Sequence, residues 1–73
     1  NKMSDNKAKA QEARDKADAY LDKGNYQDAA TWYRTAADHY RRDENELSAQ
    51  NMDDEAREAE KLALEEDGFA EYE

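Results

Sequence analysis

The sequence predicts an all-α fold, a three-helix antiparallel bundle in one small domain spanning residues 1–73. Three observations carry this expectation. The chain has no Val and no Ile, while alanine alone supplies fourteen of 73 residues. Without β-branched aliphatics a sheet has little to build from, and Ala, Glu, Lys, Arg and Leu favour helix. Apolar residues in Ala17–Tyr40 recur at steps of three and four, the period of an amphipathic helix. The pair Gly24-Asn25 then breaks this stretch into two helices.

The first helix is expected from about residue 6 to 23. Ala10, Ala13, Ala17, Tyr20 and Leu21 form its apolar stripe, and lysines, Arg14 and aspartates occupy much of the rest. Gly24 suits the position just past a helix end, where a left-handed backbone costs glycine little. Asn25 is expected to cap the second helix, with Asp28 three residues on as a capping-box-like partner. The second helix should run from about 26 to 42. Tyr26, Ala29, Ala30, Tyr33, Ala36, Ala37 and Tyr40 make one continuous stripe along it. Its alanines permit close helix approach, and its tyrosines fill the gaps while keeping a hydroxyl for the rim. So short a break makes the two helices antiparallel neighbours.

The third helix has two acceptable starts. Asp43 with Glu46 offers a capping box near Glu44, and Asn51 followed by Asp53, Asp54 and Glu55 offers another. The second is favoured, giving a helix from about 51 to 66 with Glu44–Gln50 as a turn or loose extension. Met52, Ala56, Ala59, Leu62 and Ala63 form its buried stripe, and Leu64 lies off it. Residues 1–5 and 68–73 are expected as flexible ends. With four Leu, two Met, five Tyr, one Trp and one Phe as its large apolar residues, a domain of this size has a stability margin of only about 3–5 kcal/mol.

The unit A-D-A-Y-L-D-K-G-N-Y-Q-D-A-A-T-W-Y-R-T-A-A-D-H-Y resembles a tetratricopeptide repeat. The family's small residue midway along the first helix matches Ala17, and its aromatic a turn later matches Tyr20. The turn matches Gly24 and Tyr26, and the small–aromatic–small series of the second helix matches Ala29, Tyr33 and Ala36. The chain departs from the family at Ala13 and Lys16, where a Trp and a Leu are usual, and at Arg41, where a Pro usually closes the repeat. The sequence is also similar to microtubule-interacting and transport domains, three-helix bundles whose third helix often carries a segment like Arg57–Leu62, R-E-A-E-K-L. The span from the Gly24 turn to that segment is short for that family. The first resemblance implies a binding face at Lys9, Lys16, Tyr20 and Lys23. The second implies a groove at Trp32, Met52, Ala56 and Ala59. Trp32, Tyr20, Lys16, Met52, Ala56 and Ala59 are therefore the candidate partner-binding residues. Trp32 has two expected settings, packed against the third helix or partly exposed as a binding anchor.

Charge narrows the partner classes. Residues 1–40 are balanced, with seven acids and seven bases, whereas residues 41–73 carry thirteen acids and four bases and so the entire net charge of −9. This describes a solvated acidic face, a surface that attracts a basic partner, or adaptation to high internal salt. All three disfavour nucleic acid, which requires a clustered basic face. The single His39 has no nearby nucleophile or second ligand, and the acid runs Asp53-Asp54-Glu55 and Glu65-Glu66-Asp67 lack the spacing of a calcium loop. No catalytic residue, metal or cofactor is expected. No run is apolar enough for a signal peptide or a membrane span, and cysteine is absent, so a cytoplasmic setting is expected. The function expected is non-catalytic binding of a basic or amphipathic peptide in a helix groove. The alternatives are an adaptor of the microtubule-interacting and transport kind and a small assembly subunit that self-associates.

Overall fold

The computed structural model describes residues 2–66. They form α1 (Lys2–Asp22), α2 (Tyr26–Arg42) and α3 (Glu46–Glu66), with no strand among the described residues. α2 is the central helix. It packs along both neighbours, while α1 and α3 barely approach each other. Across the helices the Cα atoms span 21 × 11 Å. A closed triangle of helices about 9 Å apart would measure about 13 Å both ways, and a flat row about 23 by 5 Å. The three-helix bundle is therefore open, with α1 and α3 flanking α2 as the sides of a shallow trough.

The α2 sequence explains this arrangement. Its stripe is a seven-residue repeat, Tyr26, Ala29-Ala30, Tyr33, Ala36-Ala37, Tyr40. At about 100° per residue the paired alanines diverge to either side of the tyrosine row. Ala29 and Ala36 fall on the side of Trp32, whose ring is covered by Lys16 of α1. Ala30 and Ala37 fall on the side of Arg34 and Arg41, which pair with Glu60 and Asp53 of α3. α2 thus offers one alanine seam to each neighbour, with Tyr33 and Tyr40 between them. The same ion pairs fix the direction of α3. Arg34 and Arg41 are seven residues apart on α2, and their partners are seven apart in reverse order on α3, so α2 and α3 run antiparallel.

Eleven of the fourteen buried apolar residues among those described are alanines, and the others are Tyr33, Tyr40 and Met52. Ala17, Ala29, Tyr33, Ala36, Met52 and Ala59 are buried as their spacing predicts. Tyr20, Leu21 and Leu62 were expected in the core and are only half-buried. Seams between alanine faces are too narrow for large side chains, so these three lie along the seam edges. Leu64 is exposed as expected.

Both turns close in the same way. Asn25 N–H donates to Tyr20 O and Gly24 N–H to Leu21 O; twenty residues on, Asn45 N–H donates to Tyr40 O and Glu44 N–H to Arg41 O. Each is a Schellman closure, which satisfies the last carbonyls of one helix and needs a left-handed residue just past its end. Gly24 takes that conformation at φ 82°, and Glu44 at φ 57°.

This second closure corrects the boundary of the third helix. α3 begins at Glu46, not near Asn51, because the chain needs only Asp43–Asn45 to leave α2 and re-enter a helix. The capping residue is Asn45, whose Oδ1 accepts the Ser48 N–H at 3.2 Å. The Asp43–Glu46 capping box is not formed, and Asp43 Oδ1 is buried without a partner. Asn25 also differs from expectation: it precedes α2 but its side chain makes no capping bond. Its backbone, at φ −86° and ψ 73°, is held by the α1 closure outside the extended region usual for a cap. At the other end α1 starts at Lys2, ahead of the expected residue 6. The expected flexible end at 68–73 lies outside the described residues.

The two left-handed positions predict opposite mutational signs. A Cβ at Gly24 would meet nothing within 4 Å, so Gly24→Ala costs only backbone strain, about 1 kcal/mol after the entropy gained by removing glycine. Glu44→Gly relieves the same strain and should raise stability by about 0.5–1 kcal/mol. Urea or thermal unfolding of both variants checks the signs.

Candidate functional site

Three surface grooves follow from the trough. The one on its inner face lies over Tyr33, between α1 and α3. Arg14, Asp18 and Leu21 of α1, Tyr33 of α2, and Met52 and Glu55 of α3 line it, enclosing about 330 Å³. Arg14, Asp18 and Leu21 share a helix face because they are spaced by four and three residues. Tyr33 is the floor. Its ring is buried, and its hydroxyl donates to the Asp18 carboxylate. Burial raises the Tyr33 pKa above the usual phenol value, with further upward pushes from the Asp18 hydrogen bond and from the charges of Asp18 and Glu55; Arg14 opposes them.

The groove is apolar below and acidic above. Among the described residues Glu55 and Glu58 make no ion pair, whereas Glu46, Asp53 and Glu60 of α3 pair with Arg41 and Arg34 of α2. Arg41 reaches Asp53 at 2.6 Å and Glu46 at 3.2 Å, and these hydrogen bonds raise its pKa. Arg34 holds Glu60, lowering the carboxyl pKa through the hydrogen bond between them. The uncompensated acid of α3 therefore includes two residues, Glu55 and Glu58, on the flank that faces away from these pairs.

The second groove is on the outer side of the α1–α2 pair, lined by Lys16, Ala19, Tyr20, Lys23 and Trp32, with a volume of about 280 Å³. The third, of about 420 Å³, runs along the outer side of the α2–α3 pair over Ala30, Ala63 and Leu64, beneath the Arg34–Glu60 pair.

The structure divides the six residues predicted from sequence. Lys16, Tyr20 and Trp32 come together in the second groove. Met52 belongs to the Tyr33 groove. Ala56 and Ala59 are buried in the core stripe of α3 and present no side-chain surface. Trp32 is half-buried and turned toward α1, with the Lys16 ammonium 4.6 Å from its ring centroid; the expectation that it packs on α3 is corrected. The reason is the seven-residue repeat, which places Trp32 beyond the alanines of the α1 seam. Lys9, implied by the tetratricopeptide resemblance, is exposed and lines none of these grooves. Asp18, Leu21, Arg14 and Glu55 were missed by sequence reasoning. The three-four spacing of the α1 trio was visible, but the opposing helix that makes it a wall was not.

His39 is half-buried in the last turn of α2, with Nδ1 buried and unpartnered. No group of three metal-ligating side chains occurs among the described residues. No described helix is long and apolar enough to cross a membrane. No family model, curated protein or solved structure matches the chain.

The raised Tyr33 pKa has a stability consequence. Below the unfolded phenol value near pH 10 both states keep the proton, and the stabilisation is complete. Above it the unfolded chain ionises first, so stability falls as pH rises toward the higher folded value. Tyr33→Phe should flatten this alkaline loss relative to wild type in unfolding curves measured from pH 8 to 11. An unchanged slope would show that Tyr33 does not contribute to it.

Proposed function

We propose that this chain is a non-catalytic protein-interaction module that holds a basic, amphipathic peptide segment in the groove over Tyr33. The observation that supports this most is the open trough. α1 and α3 stand apart over a cleft lined by the half-buried Leu21 and by the edges of the buried Tyr33 and Met52, with Asp18 and Glu55 at its rim. A helix laid there would bury its apolar positions on the floor while its Lys or Arg residues meet the acids. Arg14 reduces the local negative charge, so the partner needs an apolar face and not charge alone. The net charge of −9 argues against nucleic acid in the same place.

A tetratricopeptide-like reading takes α1 and α2 as the repeat and α3, which packs along α2, as the first helix of a following one. The microtubule-interacting and transport reading draws less support, because Met52, Ala56 and Ala59 are all buried and Trp32 faces α1.

The test is an NMR titration with a synthetic Leu/Lys amphipathic helical peptide and its Leu/Glu counterpart. The Leu/Lys peptide should bind and shift resonances of Leu21, Tyr33 and Met52. Glu55→Lys should weaken it about tenfold, or about 1.4 kcal/mol, with unchanged thermal stability. Equal binding of the Leu/Glu peptide, or shifts confined to Trp32 and Tyr20, would reject this groove.

A further inference from the structure

Two surfaces outside the Tyr33 groove match one another. The first is the outer α1–α2 groove. Lys16, Tyr20 and Lys23 of α1 follow at steps of four and three, so they share a helix flank. Trp32 of α2 stands across from them. Lys16 Nζ lies 4.6 Å from the Trp32 ring centroid and Lys23 Nζ 5.8 Å from that of Tyr20. Each ammonium is held beside an apolar surface, a placement that strengthens attraction to an incoming carboxylate relative to open water. Lys23 makes no ion pair among the described residues, and Lys16 makes one, at 3.8 Å to the exposed Glu12. An exposed pair of this kind contributes little.

The second surface is the flank of α3 turned away from α2. Glu58, Leu62 and Glu65 stand at the same steps of four and three. Both acids are exposed and Leu62 is half-buried, and neither acid has a basic partner among the described residues. At about 100° per residue, Glu58 and Glu65 point away from the buried row of Ala49, Ala56 and Ala63, and Leu62 leans toward the trough. Lys61 lies on the other side of the acids, about 40–60° round the helix. The two flanks are therefore complementary in order: cation, apolar, cation on α1 against acid, apolar, acid on α3. On each, the outer charges are seven residues or about 10 Å apart. None of these three α3 residues lines the Tyr33 groove.

We propose that the chain associates with a second copy of itself, the α3 flank of one copy docking on the α1–α2 groove of the next. The two helices run parallel, so that Glu58 meets Lys16, Glu65 meets Lys23, and Leu62 packs between Tyr20 and Trp32. The contact is heterologous: each copy offers its α3 flank to one neighbour and its groove to another. The net charge of −9 on each copy opposes the approach. Association therefore rests on the local pairs and is weak.

Charge reversal separates the local pairs from the general repulsion. Glu65→Lys adds two positive charges to the −9 and leaves −7. Reduced repulsion alone would strengthen association, whereas loss of the pair with Lys23 should weaken it at least about tenfold. Lys23→Glu should weaken it as well. Both positions are exposed, so the variants should keep the wild-type helical circular dichroism. An equimolar mixture of the two variants restores opposite charges across the contact and should recover association. Sedimentation equilibrium from about 1 μM to 1 mM compares the four samples. Acrylamide quenching of Trp32, the single tryptophan, should fall as the wild type associates. A wild type that stays monomeric over this range would overturn the proposal. So would association unchanged or strengthened by Glu65→Lys, a mixture no better than its components, or Trp32 quenching that does not change on association.

Discussion

The structure depends on the close approach of helices along alanine seams set by the seven-residue repeat of α2. Ala29 and Ala36 take one neighbour and Ala30 and Ala37 the other, all four at most 2 % exposed. Tyr33 and Tyr40 occupy the ridge between the seams. An alanine buries little apolar area, so the gain per residue is small and comes largely from dispersion between backbones brought near each other. Tyr33 and Tyr40 are the largest of the buried side chains. Because the two seams diverge across the ridge, α1 and α3 are held apart, and the bundle stays open. The trough over Tyr33, the edge positions of Tyr20, Leu21 and Leu62, and the outward turn of Trp32 all follow from that one pattern.

Electrostatics then distinguishes the faces. Arg34 and Arg41 answer Glu60 and Asp53 on the α2–α3 side, and both pairs are largely solvated, so they fix register more than they add stability. Glu55 and Glu58 have no such partners among the described residues. The charge imbalance of the second half of the sequence is thus left uncompensated at positions that include the trough edge. Lys16 and Lys23 sit on the outer α1–α2 face over aromatic rings. One small domain carries two grooves of opposite charge on the inner and outer sides of the α1–α2 pair.

Much of the fold was legible in the sequence, for physical reasons that differ between elements. The α2 stripe was explicit because its period matches the helix, and Gly24 marked the first turn because only glycine adopts φ 82° without strain. The second turn was misplaced because Glu44 occupies the equivalent left-handed position without advertising it. The true cap, Asn45, stood beside stronger-looking alternatives. The candidate site was less legible. The stripe of α3 correctly gathered Met52, Ala56 and Ala59, but burial in the seam removed the two alanines from any surface. Lys16, Tyr20 and Lys23 were read as one face, but Trp32, which joins them, was assigned to a groove with Met52, Ala56 and Ala59; the wall made by Arg14, Asp18 and Leu21 became visible only once α3 stood opposite.

The central claim is that alanine, and not a larger apolar residue, is required in the two seams. It is tested by replacing Ala29, Ala30, Ala36 and Ala37 singly with Leu and measuring unfolding free energy, with the exposed Ala8→Leu as control. Added apolar area alone would stabilise each variant. Close-packed seams instead predict a loss of about 1–3 kcal/mol at each of the four positions from overpacking, with little change at Ala8. Seam variants as stable as wild type, or more so, would contradict the account.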